Sequence, residues 1–175
     1  MRIGLDIRAL QLPYADRGVG SYIINIVNTL QIINTSHSLT FFVSGNRLPG
    51  QITAQDYVLK SLRTPPKRLT WFFEQLQLAG FVKNVDIFHS LASLGPLRQV
   101  ELPARVKIPV VATVYDLYIY KQLEELKLRK PYFLKLQEGA LKRCAAIITI
   151  SKSIKNEINM RFSIPPEKIR VVYPS

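Results

Sequence analysis

Glycine and polar residues follow four of the apolar segments of this chain, and their types are those that bind anions and polyols. The four groups are Arg17-Gly18-Val19-Gly20, His89-Ser90, Tyr115-Asp116 and Ser151. Ligands of open parallel sheets bind outside the carboxyl ends of the strands. If the apolar segments form such a sheet, these residues share one edge of it and are the candidates for a binding site.

The glycine group stands at the start of the clearest helical pattern in the chain. Glycines at a helix N-terminus let a phosphate approach the free backbone N–H groups, so Gly18, Val19 and Gly20 are predicted to bind phosphate. The dinucleotide fingerprint G-x-G-x-x-G fails because Ile23 stands at its last position, which argues against an NAD site. The alternative is a loop that needs glycine for its conformation alone.

The other three groups can exchange hydrogen bonds at the same edge. His89 and Ser90 are predicted to face the cleft, and the alternative for His89 is a structural histidine whose hydrogen bonds are satisfied. Tyr115 and Asp116 suit polyol hydroxyls, although Asp116 could instead cap the next turn. Ser151 precedes a helix whose positive end points at the cleft, and capping alone also explains this serine.

Short apolar segments alternate with amphipathic ones, which predicts strands that alternate with helices. The predicted strands are Arg2–Ile7, Leu39–Val43, Asp56–Leu62, Val85–His89, Pro109–Val114, Ala145–Ile150 and Ile169–Tyr173. The predicted helices are Val19–Ile33, Leu69–Val82, Gln122–Arg143 with an interruption near Pro131, and a helix capped by Ser151 that reaches Phe162. This order favours an α/β fold, a Rossmann-like, doubly wound and mainly parallel sheet with helices on both faces.

The net charge of the chain indicates which classes of binding partner it could attract. The chain has 175 residues, of which 47% are apolar and 21% charged, and its net charge is +12. Such a chain suits one globular domain, and its charge attracts nucleic acid, anionic lipid or phosphorylated substrates. No RNP, zinc-finger or helix-turn-helix pattern occurs, which argues against nucleic acid. The basic, leucine-rich stretch Lys121–Arg143 could lie on an anionic membrane or form an ordinary solvated helix face.

Cysteine usage and hydropathy indicate a cytoplasmic protein. Cys144 is the single cysteine and is expected to be a buried thiol in a reducing compartment. Two histidines and one cysteine are too few for a zinc site, so no metal is expected. No apolar run approaches the roughly 20 residues of a membrane-spanning helix, and the first residues lack a signal-peptide pattern. Peripheral contact with the inner face of the membrane remains compatible with these features.

The sequence resembles the N-terminal domain of family-4 retaining glycosyltransferases, also called group 1 glycosyltransferases, which have the GT-B fold. Five ordered blocks carry the resemblance: MRIGLDIRAL at 1–10, GVGSY at 18–22, WFFEQLQL at 71–78 with DIFHS at 86–90, PVVATVYDL at 109–117, and 145–173, which ends IPPEKIRVVY. The resemblance implies that residues 1–175 form a single acceptor-side domain. A C-terminal domain that binds the nucleotide sugar would lie outside this chain.

The resemblance also implies an activity and its substrates. A sugar would move from a nucleotide-diphosphate sugar to a glycan or lipid-linked acceptor with retained anomeric configuration, as in polysaccharide biosynthesis. The family needs no cofactor and usually no metal, and the isolated domain is expected to be inactive. Two alternatives stay open: a basic binding module without enzymatic activity, and another GT-B enzyme of sugar nucleotides such as an epimerase.

The resemblance assigns roles to the candidate residues. Gly18 and Gly20, with Val19 between them, match the loop near the donor diphosphate. Tyr115 stands where the family commonly has a histidine that contacts the transferred sugar, and Asp116 matches the acid that follows it. The candidates on the acceptor side are Arg17, His89, Ser90 and Ser151. No catalytic nucleophile is identified in this half.

Overall fold

The structure is a computed structural model, and it describes residues 1–12, 15, 18–33, 36–44, 50, 52, 57–62, 77–93, 102–103, 106–128 and 132–174. Its strands form one sheet of seven, in the order β3-β2-β1-β4-β5-β6-β7. All pairings in this sheet are parallel. The strands are β1 (Arg2–Asp6), β2 (Ser38–Ser44), β3 (Tyr57–Leu62), β4 (Ile87–Ser90), β5 (Val110–Val114), β6 (Ala146–Thr149) and β7 (Ile169–Val171).

Helices connect β1 to β2, β5 to β6 and β6 to β7, as expected for parallel strands. They are α1 (Gly18–Ile33), α2 (Tyr118–Glu125), α3 (Tyr132–Arg143) and α4 (Lys152–Phe162), and residues 77–81 are also helical. In α1 the predicted apolar stripe buries Tyr22, Ile23 and Val27. Its last member, Ile33, is exposed instead, because the helix ends there beyond the edge of the packed face.

The sheet is covered on both faces, and adjacent residues of β2 show this directly. Phe41 packs with Leu5, Ile23 and Val27, in the apolar cluster that includes α1. Phe42 packs in a second cluster with residues of α2, α3 and α4, such as Leu141 and Phe162. Because successive side chains of a strand point to opposite faces, the two clusters lie on the two sides of the sheet. The predicted doubly wound α/β fold is therefore confirmed.

The predicted helix Gln122–Arg143 is interrupted near Pro131 and ends at Arg143, as predicted, but its predicted start was wrong. The first helix begins at Tyr118 and ends at Glu125, and Lys127 follows it with a left-handed φ of 50°. The Lys127 amide donates to the Glu124 carbonyl and the Leu128 amide to the Leu123 carbonyl. These two bonds form a Schellman motif, which ends α2 before Pro131 is reached. Pro131 and most of the predicted helix Leu69–Val82 lie outside the described residues.

Candidate functional site

The strand order creates a crevice between β1 and β4. From β1 the chain leads through α1 to β2 on one side, and from β4 it leads to β5 on the other. Such a switch point opens a cleft at the carboxyl edge of a parallel sheet. Asp6 and Ser90 are register partners at this edge. The next strands end at Val114 and Thr149, also register partners, just before the candidate residues Tyr115 and Ser151.

A buried ion pair lies at the end of β1. Arg8 Nε donates to Asp6 Oδ1 at 2.9 Å and Arg8 Nη2 donates to Asp6 Oδ2 at 2.7 Å. The Arg8 backbone amide also donates to Asp6 Oδ1, at 3.2 Å. Both side chains are fully buried, so this bidentate pair is shielded from solvent. The sequence analysis did not predict this pair. Its signal is that two opposite charges, Asp6 and Arg8, flank Ile7 in an otherwise apolar segment.

A second anchor holds the chain that leaves β1. Arg8–Gln11 forms a 3₁₀ turn, and Gln11 Nε2 donates to the Ser44 carbonyl at 2.7 Å. The Ser44 amide donates back to Gln11 Oε1 at 2.6 Å. This reciprocal pair ties the loop to the carboxyl end of β2. The approach to α1 is therefore fixed by side chains at both ends of the turn.

The two glycines at the start of α1 differ in their surroundings. A Cβ atom on Gly20 would lie 1.5 Å from the Ala15 carbonyl oxygen, whereas one on Gly18 would meet nothing within 4 Å. Gly20 therefore permits close backbone packing, a structural role that differs from the purely conformational one considered for this loop. Gly18 is exposed at the first turn, which carries no acidic residue, and Val19 is partly buried. The predicted phosphate contact at this turn stays a prediction, and Arg17 lies outside the described residues.

His89 and Ser90 belong to a hydrogen-bonded network at the carboxyl ends of β4 and β5. His89 Nε2 lies 2.8 Å from Thr113 Oγ1, and burial lowers the pKa of His89 to about 4. Ser90 is fully buried, and its hydroxyl accepts a 2.9 Å bond from the Ser93 hydroxyl. The Ser93 amide in turn donates to the Thr113 carbonyl at 2.8 Å. A neutral His89 therefore bonds within the fold, as the alternative of a structural histidine requires.

Tyr115 packs against a residue that sequence reasoning missed. Its ring meets Tyr22 of α1 edge-to-face, with ring centroids 5.4 Å apart. The hydroxyls of Tyr22 and Tyr115 are both buried and have no hydrogen-bond partner among the described residues. Burial raises the pKa of both phenols, so both stay protonated at neutral pH. Tyr22 gave no signal of its own in the sequence, because it stands on the apolar stripe of α1.

Asp116 and Ser151 both make local bonds to helix starts. Asp116 is exposed, and its Oδ1 accepts a 3.0 Å bond from the Tyr118 amide at the beginning of α2. Ser151 is the N-cap of α4, and its hydroxyl accepts a 3.2 Å bond from the Ile154 amide. Capping, the structural alternative considered for both residues, is therefore present. The edge brings Ser90, Tyr115 and Ser151 onto the ends of three neighbouring strands, β4, β5 and β6.

Polar groups with unmet hydrogen-bonding capacity are uncommon in folded interiors. Buried donors and acceptors are mostly paired, so an unpaired hydroxyl calls for an explanation such as a ligand. At this edge the ring of Tyr115 packs against Tyr22, which lies in α1 directly after its first turn. Amides of a first turn lack intrahelical partners, and the positive helix end favours anions. The arrangement therefore suits an anionic ligand that also carries hydroxyl groups. Among the residues described, no three His, Cys, Asp or Glu side chains are grouped so as to hold a metal ion.

The chain is similar to known proteins in sequence and in fold. The family model described as Glycosyltransferase Family 4 matches residues 17–175. Among solved structures, the chain is similar to HepE of Anabaena, which was crystallised in complex with UDP, at a TM-score of 0.58 and 11% sequence identity. The match covers 98% of this chain and 43% of HepE, so this chain spans less than half of that protein. No curated protein matches the chain.

Replacing Gly20 by alanine should destabilise the protein. The added Cβ would collide with the Ala15 carbonyl, and overpacking of this kind costs about 1–3 kcal/mol. Gly18→Ala is the matched control, since its Cβ enters open space and alanine favours helix by up to about 1 kcal/mol. Urea unfolding of the two variants measures the difference. Equal free energies of unfolding would mean that the loop does not pack against Gly20.

His89 should make the stability of the protein depend on pH between 5 and 7. Its folded pKa of about 4 lies below the ordinary 6.5, so only the unfolded chain takes up the proton in this window. The stabilisation is present above pH 6.5 and is lost as the pH falls toward 4. Between pH 7 and pH 5 the loss is about 2 kcal/mol.

Urea unfolding at pH 7 and pH 5 measures this effect in the wild type and in His89→Gln. Glutamine keeps a group that can bond Thr113 but has no proton to take up in this range. We expect the wild type to lose about 2 kcal/mol more than the variant. An equal loss in both proteins would show that His89 titrates normally in the folded state.

Proposed function

Because the chain belongs to Glycosyltransferase Family 4, we propose that it is the acceptor-side half of an enzyme that transfers a sugar from a nucleotide-diphosphate sugar. The acceptor in this proposal is a glycan or a lipid-linked sugar, and the anomeric configuration is retained. The family match over residues 17–175 carries the proposal. The fold likeness to HepE, a protein that binds UDP, supports a nucleoside diphosphate as the leaving group.

The proposal divides the work between two domains. The nucleotide is held mainly by a C-terminal domain outside these 175 residues, and this domain closes the cleft from the other side. HepE is more than twice as long as the stretch that matches this chain, which leaves room for such a domain in the relative. We therefore expect the 175 residues alone to transfer no sugar, and we take the C-terminal domain as the partner that completes the site.

Within this half, the first turn of α1 would face the donor diphosphate. Free amides at Gly18, Val19 and Gly20 and the positive end of the helix stabilise the charge that develops on the leaving group. This electrostatic role needs no metal ion in the proposal. Asp116 and Ser151 hold the starts of α2 and α4 in place, so their contribution is to shape the edge.

The two unpaired tyrosine hydroxyls would bind sugar hydroxyls or a phosphate oxygen. Tyr115 takes the place of the family's histidine, and its raised pKa keeps the phenol protonated. A protonated phenol donates and accepts hydrogen bonds but exchanges no proton near neutral pH. Tyr115 therefore binds and orients in this proposal, and it does not act as an acid or a base.

Removing the Tyr115 hydroxyl should weaken the transfer without unfolding the protein. Tyr115→Phe keeps the edge-to-face contact with Tyr22 and loses one hydrogen bond, worth about 0.5–1.5 kcal/mol. We expect kcat/KM to fall about three- to tenfold. Tyr118→Phe is the control, because Tyr118 is an exposed tyrosine three residues away.

The assay uses the protein that joins this domain to its C-terminal half, supplied with nucleotide-diphosphate sugars and glycan acceptors. Release of nucleoside diphosphate gives the rate, and NMR of the product gives the anomeric configuration. An inverted product would contradict retention, and a changed nucleotide sugar without transfer would indicate an epimerase. An equal effect of Tyr115→Phe and Tyr118→Phe would remove Tyr115 from the site.

A specific surface also supports contact with an anionic membrane. Leu126 and Leu128 follow α2 and Tyr132 begins α3, and these residues are 64%, 56% and 69% exposed. Lys127 stands among them and Lys135 follows on the exposed side of α3. No helix in the described part of the chain is long and apolar enough to cross a bilayer. We propose that this apolar, basic turn rests on the membrane surface and brings the cleft to a lipid-linked acceptor.

Removing apolar side chains from this turn should reduce binding to anionic vesicles. We expect Leu126→Ser/Leu128→Ser to weaken binding at least tenfold, because burying one leucine contributes about 1.5–3 kcal/mol. The measurement is co-sedimentation with vesicles of phosphatidylcholine and phosphatidylserine, and added salt should weaken the wild type. Ile32→Ser is the control, since Ile32 on α1 is 82% exposed. Equal loss in the control, or equal binding to pure phosphatidylcholine, would contradict the proposal.

A further inference from the structure

A cavity of about 380 Å³ opens at the edge of the sheet opposite the candidate glycosyl-transfer site. It lies at the amino end of β5 and beside the C-terminal end of α3. Five apolar residues and two basic ones line it: Pro103, Val106, Ile108, Val110, Ala140, Lys107 and Arg143. Val110 and Tyr115 are five residues apart along an extended strand, which separates the two edges by about 16 Å.

The walls of this cavity belong to the packed interior. Val110 and Ala140 are buried members of the core cluster, and Val106 and Ile108 pack against the same cluster. The cavity therefore has a fixed apolar surface. Its volume lies within the range of about 300–1,000 Å³ that is typical of small-molecule sites. A water-sized group, such as one methylene, occupies roughly 30 Å³. The cavity therefore has room for about a dozen such groups, which suits one alkyl chain of about ten carbons.

The basic residues give this apolar cavity a preferred charge. Lys107 and Arg143 are both exposed, and the neighbouring Lys168 Nζ lies 3.5 Å from the Lys142 carbonyl. Basic residues at the end of α3 also suit the negative pole of the helix. That reason does not apply to Lys107, which precedes β5 and is outside any helix. Two cations therefore border the cavity from different elements.

We propose that this cavity binds a single-chain amphipathic anion, an alkyl chain that ends in a carboxylate or a phosphate. The chain fills the apolar part, and the head group lies beside Lys107 and Arg143. An apolar cavity alone would accept a neutral chain equally well, so the two cations supply the selectivity. The site is separate from the carboxyl edge, and it does not depend on the proposed glycosyl transfer.

Calorimetric titration of the 175-residue chain with decanoate and with decyl phosphate tests the site. Both ligands are kept below their micelle concentrations, and we expect one molecule to bind per chain. Decanol tests whether the charge matters, and inorganic phosphate tests whether the alkyl chain matters. Whichever of decanoate and decyl phosphate binds more tightly identifies the head group. We expect decanol to bind at least fivefold more weakly than that anion.

Three variants assign the contacts. Lys107→Gln should raise the Kd about fivefold, and Lys107→Gln/Arg143→Gln should raise it further. Lys152→Gln, which changes an exposed lysine at the start of α4 on the opposite edge of the sheet, should leave the Kd unchanged. Nuclear Overhauser contacts from the decanoate chain to the methyls of Val106 and Ile108 would place the ligand. Binding of decanol as tight as that of decanoate, an effect of Lys152→Gln equal to that of Lys107→Gln, or contacts elsewhere on the chain would each overturn the proposal.

Discussion

The buried Asp6–Arg8 pair is the constraint on which the carboxyl edge of this sheet depends. Two charges out of reach of water are tolerated only when their geometry is close to ideal, and here two parallel hydrogen bonds join them. Removing either partner would leave an uncompensated buried charge at the switch point of the fold. The pair therefore fixes where the chain leaves β1, and the Gln11–Ser44 contacts fix its next few residues. The start of α1 and the close packing at Gly20 follow from this fixed path.

The sequence predicted the elements whose signals are local. The apolar stripe of α1, the β-branched segment of β5 and the Ser151 cap each act within a few neighbouring residues, so single positions reveal them. Pro131 predicted an interruption between α2 and α3, but the end of α2 at Glu125 was missed, because its left-handed residue is Lys127 where a glycine would have marked the turn. The Asp6–Arg8 pair was also missed. Two charges near an apolar strand say nothing of burial until the sheet and α1 enclose them.

The same difference between local and tertiary signals separates what could be predicted about the candidate residues from what could not. Their placement at one edge could be predicted, because the carboxyl ends of parallel strands all lie at the same edge of the sheet. Which of them keep unused hydrogen-bonding groups could not be predicted, since this depends on contacts across the fold. His89 meets Thr113 from the neighbouring strand, whereas Tyr115 meets the ring of Tyr22, which offers its hydroxyl no bond. The feature that favours ligand binding is therefore a tertiary one, and it lies at a position where the family resemblance already placed a sugar contact.

Part of the positive charge is compensated by ion pairs between α2 and α4. Arg161 of α4 pairs with Glu124 and Glu157, and Lys121 reaches Glu157 at 3.1 Å. The Arg161 guanidinium also lies over the Tyr120 ring, 5.6 Å from its centroid. The cations Lys121 and Arg161 are therefore balanced by the carboxylates of Glu124 and Glu157. Elsewhere Lys127 stands among exposed apolar side chains, and Lys107 and Arg143 border the apolar cavity. Charge and apolar surface coincide at both places, and that coincidence favours amphipathic anions over a hydrated polyanion such as nucleic acid.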